Sequence, residues 1–411
     1  MNLIALFQDK HIVLGVTGSI AAYKAADLAS KLTQAGALVD VVLTEAATHF
    51  VTPLTFQSVT GRPAWSDLWA ASAEAHIAHV ALAEQADLLI IAPATTDVIA
   101  KLAHGLADDL LTVTALATRC PLLLAPAMDA GMFEHPATQA NLNTLRERGV
   151  TLLGPAEGRM ASGLTGRGRL LEPEALFGHI RLALSRGGSL AGKRVVVSAG
   201  GTQEPIDPVR FISNRSSGKQ GYALAQAALD RGAEVTLVTG PTALPTPPGA
   251  RRVEVQTAQE MAEAVLAASA VADVLLMAAA VADFRPAQVA EQKIKKSAVP
   301  EIRLEKTVDV LTAVAEARDQ SPARRPAVVV GFAAESQDLI ENAREQVLRK
   351  RLSLIVANDI SASDAGFGVD TNRVTLIDAG GGIETLPLLS KALVAEAVLE
   401  RVERLLARQT W

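Results

Sequence analysis

Residues 194–221 read RVVVSAGGTQEPIDPVRFISNRSSGKQG, and the fold of the second half follows from them. Val195, Val196 and Val197 have the make-up of a strand buried on both faces. Ser198, Ala199, Gly200, Gly201 and Thr202 then leave backbone amides bare. Amides unobstructed by bulky side chains converge readily on an anion, and the positive end of a following helix adds to the pull. A second polar knot, Asn214, Ser216, Ser217, Gly218 and Lys219, precedes a helical run from Tyr222 to Arg231. Gly232 ends that run and Val235 to Thr239 returns as a strand, completing a βαβ unit. The plainer meaning is a decorated strand-to-helix turn, but two phosphate-friendly knots with Asp207 and Arg210 between them exceed what a turn requires.

The first half uses the same grammar. His11 to Val16 reads as a buried strand, Thr17, Gly18 and Ser19 as the loop, Ile20 to Gln34 as a helix stopped by Gly36, and Leu38 to Thr44 as the returning strand. The expectation is an α/β protein of two tandem doubly wound, Rossmann-like or flavodoxin-like parallel-sheet domains, residues 1–188 and 189–411. The run SRGGSLAGK at 185–193 has the composition of a linker. Neither half has a full G-x-G-x-x-G, and only Glu45 lies near where an acidic residue would hold a ribose, which disfavours a nicotinamide dehydrogenase. Gly18 and Ser19 instead suit a single phosphate, as flavin mononucleotide carries, with a plain turn as the alternative.

A chain of 411 residues is expected to hold two cores, and 49% hydrophobic residues with 3% aromatics suits α/β packing better than a base-stacking surface. The net charge of −5 and the lack of a basic tail disfavour nucleic acid and anionic membranes as partners. One cysteine, Cys120, precludes an internal disulfide and fits a reducing compartment. No basic leader and no apolar run of about 20 residues is present, so a cytoplasmic protein is expected.

Open α/β sheets bind ligands at the carboxyl ends of their strands. Strand Leu88 to Ala92 ends in Pro93, Ala94, Thr95 and Thr96, and strand Leu122 to Pro126 leads into Ala127, Met128 and Asp129. Trp65 and Trp69 are expected to pack their loop down, with a place beside a ligand as the alternative for either. The run GRMASGLTGRGR at 158–169 has no apolar period and reads as a mobile flap. In the second half Asp283 follows a buried strand, Lys293, Ile294, Lys295 and Lys296 form the dense basic cluster, and Phe332, Lys350 and Asn358 accompany two further buried strands. A solvated basic loop and a core Phe are the bland meanings of Lys293 and Phe332.

GGTQEPIDPVRFISNRSSGK, the K-I-K-K at 293–296 and the F-G-x-D-x-N at 367–372 resemble phosphopantothenate–cysteine ligases. The string H-I-x-x-V-x-L-A-x-x-A-D-L-L-I-I-A-P-A-T at 76–95 resembles the flavin-dependent phosphopantothenoylcysteine decarboxylases. Both halves thus resemble the bifunctional coenzyme A biosynthesis family. The resemblance implies a ligase that uses CTP and Mg²⁺ to join L-cysteine to 4′-phosphopantothenate through an acyl-cytidylate. It also implies an FMN-dependent decarboxylase that converts 4′-phosphopantothenoylcysteine to 4′-phosphopantetheine.

Carried over residue by residue, His76 is the catalytic base, Asn214 positions the activated acyl group, and Lys293 handles its phosphate charge. Gly200, Asp283, Phe332 and Lys350 are assigned to the nucleotide, and Gly18, Ser19, Thr44, Ala94, Thr95 and Met128 to the flavin. Asp283 is a candidate for the ribose or for Mg²⁺, with a helix or turn cap as the plain alternative, and no further metal ligand is assigned. Two positions depart from the family pattern. Asp129 stands where the family's P-A-M-N has an asparagine that clamps the substrate carboxylate, and two facing carboxylates repel unless one is protonated or a cation intervenes. Ser162 stands where relatives have a flap cysteine. The resemblance further implies homo-oligomers, trimeric through the flavin half and dimeric through the ligase half. A flavin-binding regulatory protein is the rival class, although the acidic tail that would support it is missing.

Overall fold

The computed structural model describes residues 5–69, 78–159, 163, 165–295, 301–335, 339–359 and 368–408. His76, Ser162, Lys296 and Phe367 lie outside the described residues. The chain divides into two compact units, Met1–Ser185 and Arg186–Trp411.

The first unit carries strands β1 (His11–Val16), β2 (Leu38–Leu43), β3 (Ala64–Trp65), β4 (Leu88–Ala94), β5 (Leu122–Pro126) and β6 (Thr151–Leu152). They form one parallel sheet in the order β3-β2-β1-β4-β5-β6. Every residue of β4 is buried, which explains the unbroken run of Leu, Ile and Ala there: helices cover both faces of a parallel sheet, so polar alternation has no place. Helix Ala22–Ala35 turns Ala25, Leu28, Ala29 and Leu32 onto the sheet, and Gly36 at φ 108° stops it. Leu28 and Leu32 share a core with Phe7 and Phe56. Burying each such large side chain contributes roughly 1.5–3 kcal/mol.

The flap strands β7 (Ala156–Arg159) and β8 (Thr165–Arg169) pair antiparallel, so Gly158, Arg159, Gly166, Arg167, Gly168 and Arg169 lie within regular strands, which the missing apolar period did not suggest. Trp65 is half-buried in β3, but Trp69 is 85% exposed, and the expectation that both tryptophans pack the loop fails for Trp69. Its backbone N–H donates to Asp67 Oδ1 at 2.8 Å in a surface turn that leaves the ring in solvent.

In the second unit β9 (Arg194–Ala199) is followed by the ribbon β10 (Gln203–Pro205) and β11 (Phe211–Ser213), then β12 (Glu234–Thr239), β13 (Arg251–Glu254) and β14 (Val274–Met277). A second ribbon, β15 (Phe284–Pro286) and β16 (Leu304–Lys306), precedes β17 (Val328–Glu335), β18 (Leu354–Asp359), β19 (Thr371–Asn372), β20 (Val374–Asp378) and β21 (Ile383–Thr385). The main sheet runs β13-β12-β9-β14-β17-β18-β20-β21, parallel through β18 and antiparallel beyond it. Strand order therefore reverses between β9 and β14, as it does between β1 and β4 in the first unit.

The expected linker is a correction. Leu190 is 1% exposed and donates its N–H to Arg231 O at 2.8 Å. Gly188 lies so near the Arg231 carbonyl that an added Cβ would come within 2.5 Å of it. Glycine in this segment serves close packing onto the second unit, where composition alone pointed to flexibility.

Candidate functional sites

In the first unit a chain of hydrogen bonds crosses the carboxyl edge of the sheet. Thr44 N–H donates to Val16 O at 3.0 Å, joining the tips of β2 and β1. The Thr17 hydroxyl, fully buried, donates to Pro93 O at 2.8 Å and accepts from Thr95 N–H at 3.1 Å, which fixes the tip of β1 to that of β4 across the reversal. Ala127 N–H donates to Ala94 O, and Met128 N–H donates to Gly168 O, both at 3.0 Å, so β5 and the flap strand β8 join the same edge. The topology thus brings Gly18, Ser19, Thr44, Ala94, Thr95, Met128 and Asp129 to one rim. Gly18 is required there by close approach, because a Cβ would meet Ala46 Cβ at 2.5 Å.

Asp129 caps the short helix Ala130–Glu134, with Oδ1 accepting from Gly131 N–H at 3.1 Å. A residue not singled out by sequence reading lies against the same helix. Arg167, on β8, lays its guanidinium over the Phe133 ring 5.6 Å from the centroid, placing a cation on the helix that Asp129 caps. Only the presence of several arginines in the flap run hinted at it. At the root of the flap, Glu172 accepts from the buried Lys24 ammonium at 3.0 Å and from Arg169 at 2.5 Å. Cys120 precedes β5, at the opposite edge of the sheet; burial pushes its thiol pKa up, which keeps it protonated.

In the second unit the reversal point opens into a cavity of about 760 Å³. Asn214, Asp283, Phe332 and Lys350, four of the residues expected to act here, all line it, and Asn358 joins them. The loop after β14 is fixed to β9: Ser198 Oγ accepts from Ala279 N–H at 3.0 Å and Thr202 Oγ1 from Ala282 N–H at 3.0 Å. Asn214 reaches the same loop, its Nδ2 donating to Val281 O at 3.2 Å and Ala280 O at 3.3 Å. That fixes the amide plane and leaves the orientation of Oδ1 set. The buried Oδ1 of Asn358 has no hydrogen-bond partner, so the cavity contains an acceptor that a ligand donor would satisfy.

Lys350 pairs with Asp309 at 3.1 Å, and Asp309 also accepts from Thr312 N–H at 3.2 Å to cap helix Val310–Gln320. Burial pushes the Asp309 carboxyl pKa up, but the Lys350 charge and the N–H bonds outweigh it and hold the group below its usual value. Phe332 is half-buried in the cavity wall, not enclosed in the core.

Gly200 and Lys293 are not among the cavity-lining residues. Gly200 is buried at φ 76° with Gly240 O 3.2 Å from where its Cβ would stand, and the Gly218 loop packs against it, so it sits beneath the polar knot. Lys293 is exposed, and its loop is tethered one residue on: Ile294 N–H donates to Asp207 Oδ2 at 3.1 Å, while the Arg210 guanidinium donates to Ile294 O at 2.9 Å. Arg210 Nε and Nη2 both donate to Asp207 Oδ2, at 2.9 and 2.5 Å. The Arg210 guanidinium holds the Asp207 carboxyl well below the usual carboxylate range. Among the described residues there is no group of three or more His, Cys, Asp or Glu that could hold a metal ion, and no helix is long and apolar enough to cross a membrane.

Residues 6–184 match the family described as flavoprotein, and residues 190–406 match the C-terminal domain of the DNA/pantothenate metabolism flavoproteins. The chain is 47% identical over 396 residues to the coenzyme A biosynthesis bifunctional protein CoaBC of Vibrio cholerae, covering 96% of this chain and 98% of that one. It is 44% identical over 409 residues to the CoaBC protein of Bacillus subtilis, covering 98% and 99%. A crystal structure of the C-terminal domain of a CoaBC protein is 40% identical, covers 54% of this chain and 100% of that one, and superposes with a TM-score of 0.46.

Proposed function

The chain belongs to the family of coenzyme A biosynthesis bifunctional proteins CoaBC, and from that premise we propose the division of labour between its two units. The second unit joins L-cysteine to 4′-phosphopantothenate with CTP, and the first, with FMN, decarboxylates the resulting 4′-phosphopantothenoylcysteine to 4′-phosphopantetheine. The observation that carries the ligase assignment is the gathering of Asn214, Asp283, Phe332 and Lys350 around one cavity at the strand-order reversal.

In the ligase step the pantothenate carboxylate attacks the α-phosphorus of CTP, pyrophosphate leaves, and the cysteine amine then displaces CMP from the acyl-cytidylate. Negative charge builds on phosphoryl oxygens in the first step, and cations already fixed in place offset it without reorganising. Lys350, held by Asp309 in the cavity wall, is such a cation, and Lys293, exposed outside the cavity lining on the loop tethered through Ile294, is the second. Phe332 offers a face for the cytosine ring, Asp283 a carboxylate for the ribose, and Asn214 orients the acyl group from its two backbone contacts. The described residues offer no cluster of three or more His, Cys, Asp or Glu side chains for Mg²⁺.

In the first unit the residues present fit a flavin mononucleotide. Gly18, Ser19, Ala94 and Thr95 put small side chains, hydroxyls and loop amides at the reversal, the donor set a phosphate ester needs. Bound FMN supplies the reversible redox capacity that the polypeptide lacks. The chain's part is to hold the loops together through Thr17, to orient the substrate carboxylate between Asp129 and Arg167, the cation stacked on the helix that Asp129 caps, and, through His76, to take the proton from the cysteinyl thiol.

Exposed apolar side chains support assembly into homo-oligomers: Ile20, Tyr23 and Leu54 on the first unit, Phe211, Phe284 and Leu304 on the second. The test is pyrophosphate release by the purified protein. Release that needs both CTP and 4′-phosphopantothenate is expected, and a protein that binds flavin but releases none is a regulator.

A further inference from the structure

Strand β8, which carries Arg167, stands outside the main sheet of the first unit. Among the described residues it pairs only with β7, and a ribbon of two strands has little stability of its own in water. Its place on the rim therefore depends on what its residues grip beyond the ribbon. Gly168 O takes the Met128 N–H at 3.0 Å, Arg167 lies over Phe133, and Arg169 Nη2 donates to Glu172 Oε1 at 2.5 Å.

The Arg169–Glu172 pair is unimpressive on its own. Its side chains are 47% and 53% exposed, and pairs that open to water contribute little. The carboxylate, however, is held from the other side. Lys24 Nζ donates to the same oxygen, Oε1, at 3.0 Å, and the Lys24 side chain is only 9% exposed. An ammonium so far from solvent needs its counter-ion in place, so Glu172 is ordered before Arg169 is counted. Lys24 belongs to the first turn of helix Ala22–Ala35, and that turn is built on the flavin loop. Ser19 Oγ accepts from Ala21 N–H at 3.2 Å, and Ser19 O accepts from Ala22 N–H at 2.9 Å. One carboxylate oxygen thereby joins the helix behind that loop to the strand that carries Arg167.

A plain helix-to-helix tie would not need Arg169. Glu172 is the N-cap residue of helix Pro173–Leu184, so Lys24 already binds the two helices, and Lys31 with Glu174 at 3.2 Å repeats the link. What Arg169 adds is a hold on the ribbon. We propose that Glu172 and Arg169 are positioning residues for the decarboxylase step: anchored by Lys24, they set β8 on the rim and so place Arg167 for the substrate carboxylate. The proposal rests on the decarboxylase reading of the first unit for the group that Arg167 meets.

The test uses the full-length protein loaded with FMN, as wild type, Arg167→Gln, Arg169→Gln, Arg169→Lys and the double variant Arg167→Gln/Arg169→Gln. Arg169 is the residue to change, because removing the Glu172 charge strands a buried ammonium and endangers the fold. Arg169→Gln is expected to raise KM for 4′-phosphopantothenoylcysteine about fivefold, with kcat within about twofold and flavin content unchanged, and Arg169→Lys to restore most of the loss. The double variant is expected to be no worse than Arg167→Gln alone, because the effect passes through Arg167. Hydrogen exchange at the Met128 amide, read by mass spectrometry, rises about tenfold in Arg169→Gln without any substrate present. An unchanged KM or an unchanged Met128 exchange in folded, flavin-loaded Arg169→Gln overturns the proposal, as does a fully additive loss in the double variant. Wild type that releases no carbon dioxide from 4′-phosphopantothenoylcysteine overturns the decarboxylase reading instead, and the Met128 exchange still tests the tether.

Discussion

The carboxylate of Asp207 accepts the backbone N–H of Ile294 at 3.1 Å across 87 residues of sequence, and so fixes the lysine loop to the ribbon formed by β10 and β11. Its side chain is fully shielded from solvent, and Val209, Arg210 and Ile294 amides converge on it together with the Arg210 guanidinium. Asp207→Asn removes the charge that organises these donors. Ligase turnover is expected to fall about tenfold or more through loss of Lys293 placement, with flavin content of the purified protein unchanged. Steady-state pyrophosphate release and flavin absorbance check both parts.

The same carboxylate sets a pH dependence. Its folded pKa lies below the unfolded one, so the stability it contributes is complete above the unfolded value near 4 and is lost as pH falls through the folded value. Melting temperature of the second unit is expected to drop on acidification below about pH 4, and less steeply in Asp207→Asn. Parallel slopes for the two proteins contradict the assignment.

Lys350 and Asp309 separate binding from packing. Lys350→Gln is expected to raise KM for CTP by about 10- to 100-fold, the size of one lost charge-assisted contact to phosphate. Asp309→Asn keeps a capping acceptor, loses the ion pair, and should raise KM only a few-fold while the melting temperature barely moves. Initial-rate kinetics at varied CTP distinguish the two.

Thr17 is the hinge of the flavin half. Thr17→Val keeps the volume but strips the hydroxyl between Pro93 O and Thr95 N–H, leaving two backbone groups unpaired at a cost of about 1–3 kcal/mol. Flavin retained on purification should fall, read by its visible absorbance, while CTP-dependent pyrophosphate release persists.

Much of this was legible in the residues. The valine runs and the glycine stops gave both βαβ units, and the doubly wound order followed because short connections to parallel strands allow little else. Asn214, Asp283, Phe332 and Lys350, far apart in the chain, line one cavity; only Asp283 was placed there by the carboxyl-end rule, the others by the family resemblance. Other features were out of reach. Asp207 and Arg210 suggested ligand chemistry by their place between two polar knots, yet they bind each other and Ile294, because local spacing does not show which distant amide a carboxylate will meet. Gly188 and Gly221 show the same limit. A Cβ on Gly221 would stand 2.5 Å from Ala199 Cβ and 2.8 Å from Ser198 O, so its role is helix-to-strand contact, which composition cannot express.

Gly221→Ala tests that contact. The added methyl forces helix Lys219–Leu229 off β9, at roughly 1–3 kcal/mol, with a lower melting temperature for the second unit and weaker CTP binding. Differential scanning calorimetry and nucleotide titration read the two effects.

The central claim is that one chain performs two successive steps. The most direct measurement is mass spectrometry of the products formed by the purified protein supplied with FMN, CTP, Mg²⁺, 4′-phosphopantothenate and L-cysteine. The account predicts pyrophosphate and 4′-phosphopantetheine, with one carbon dioxide released per ligation. Accumulation of 4′-phosphopantothenoylcysteine with no loss of carbon dioxide would contradict it.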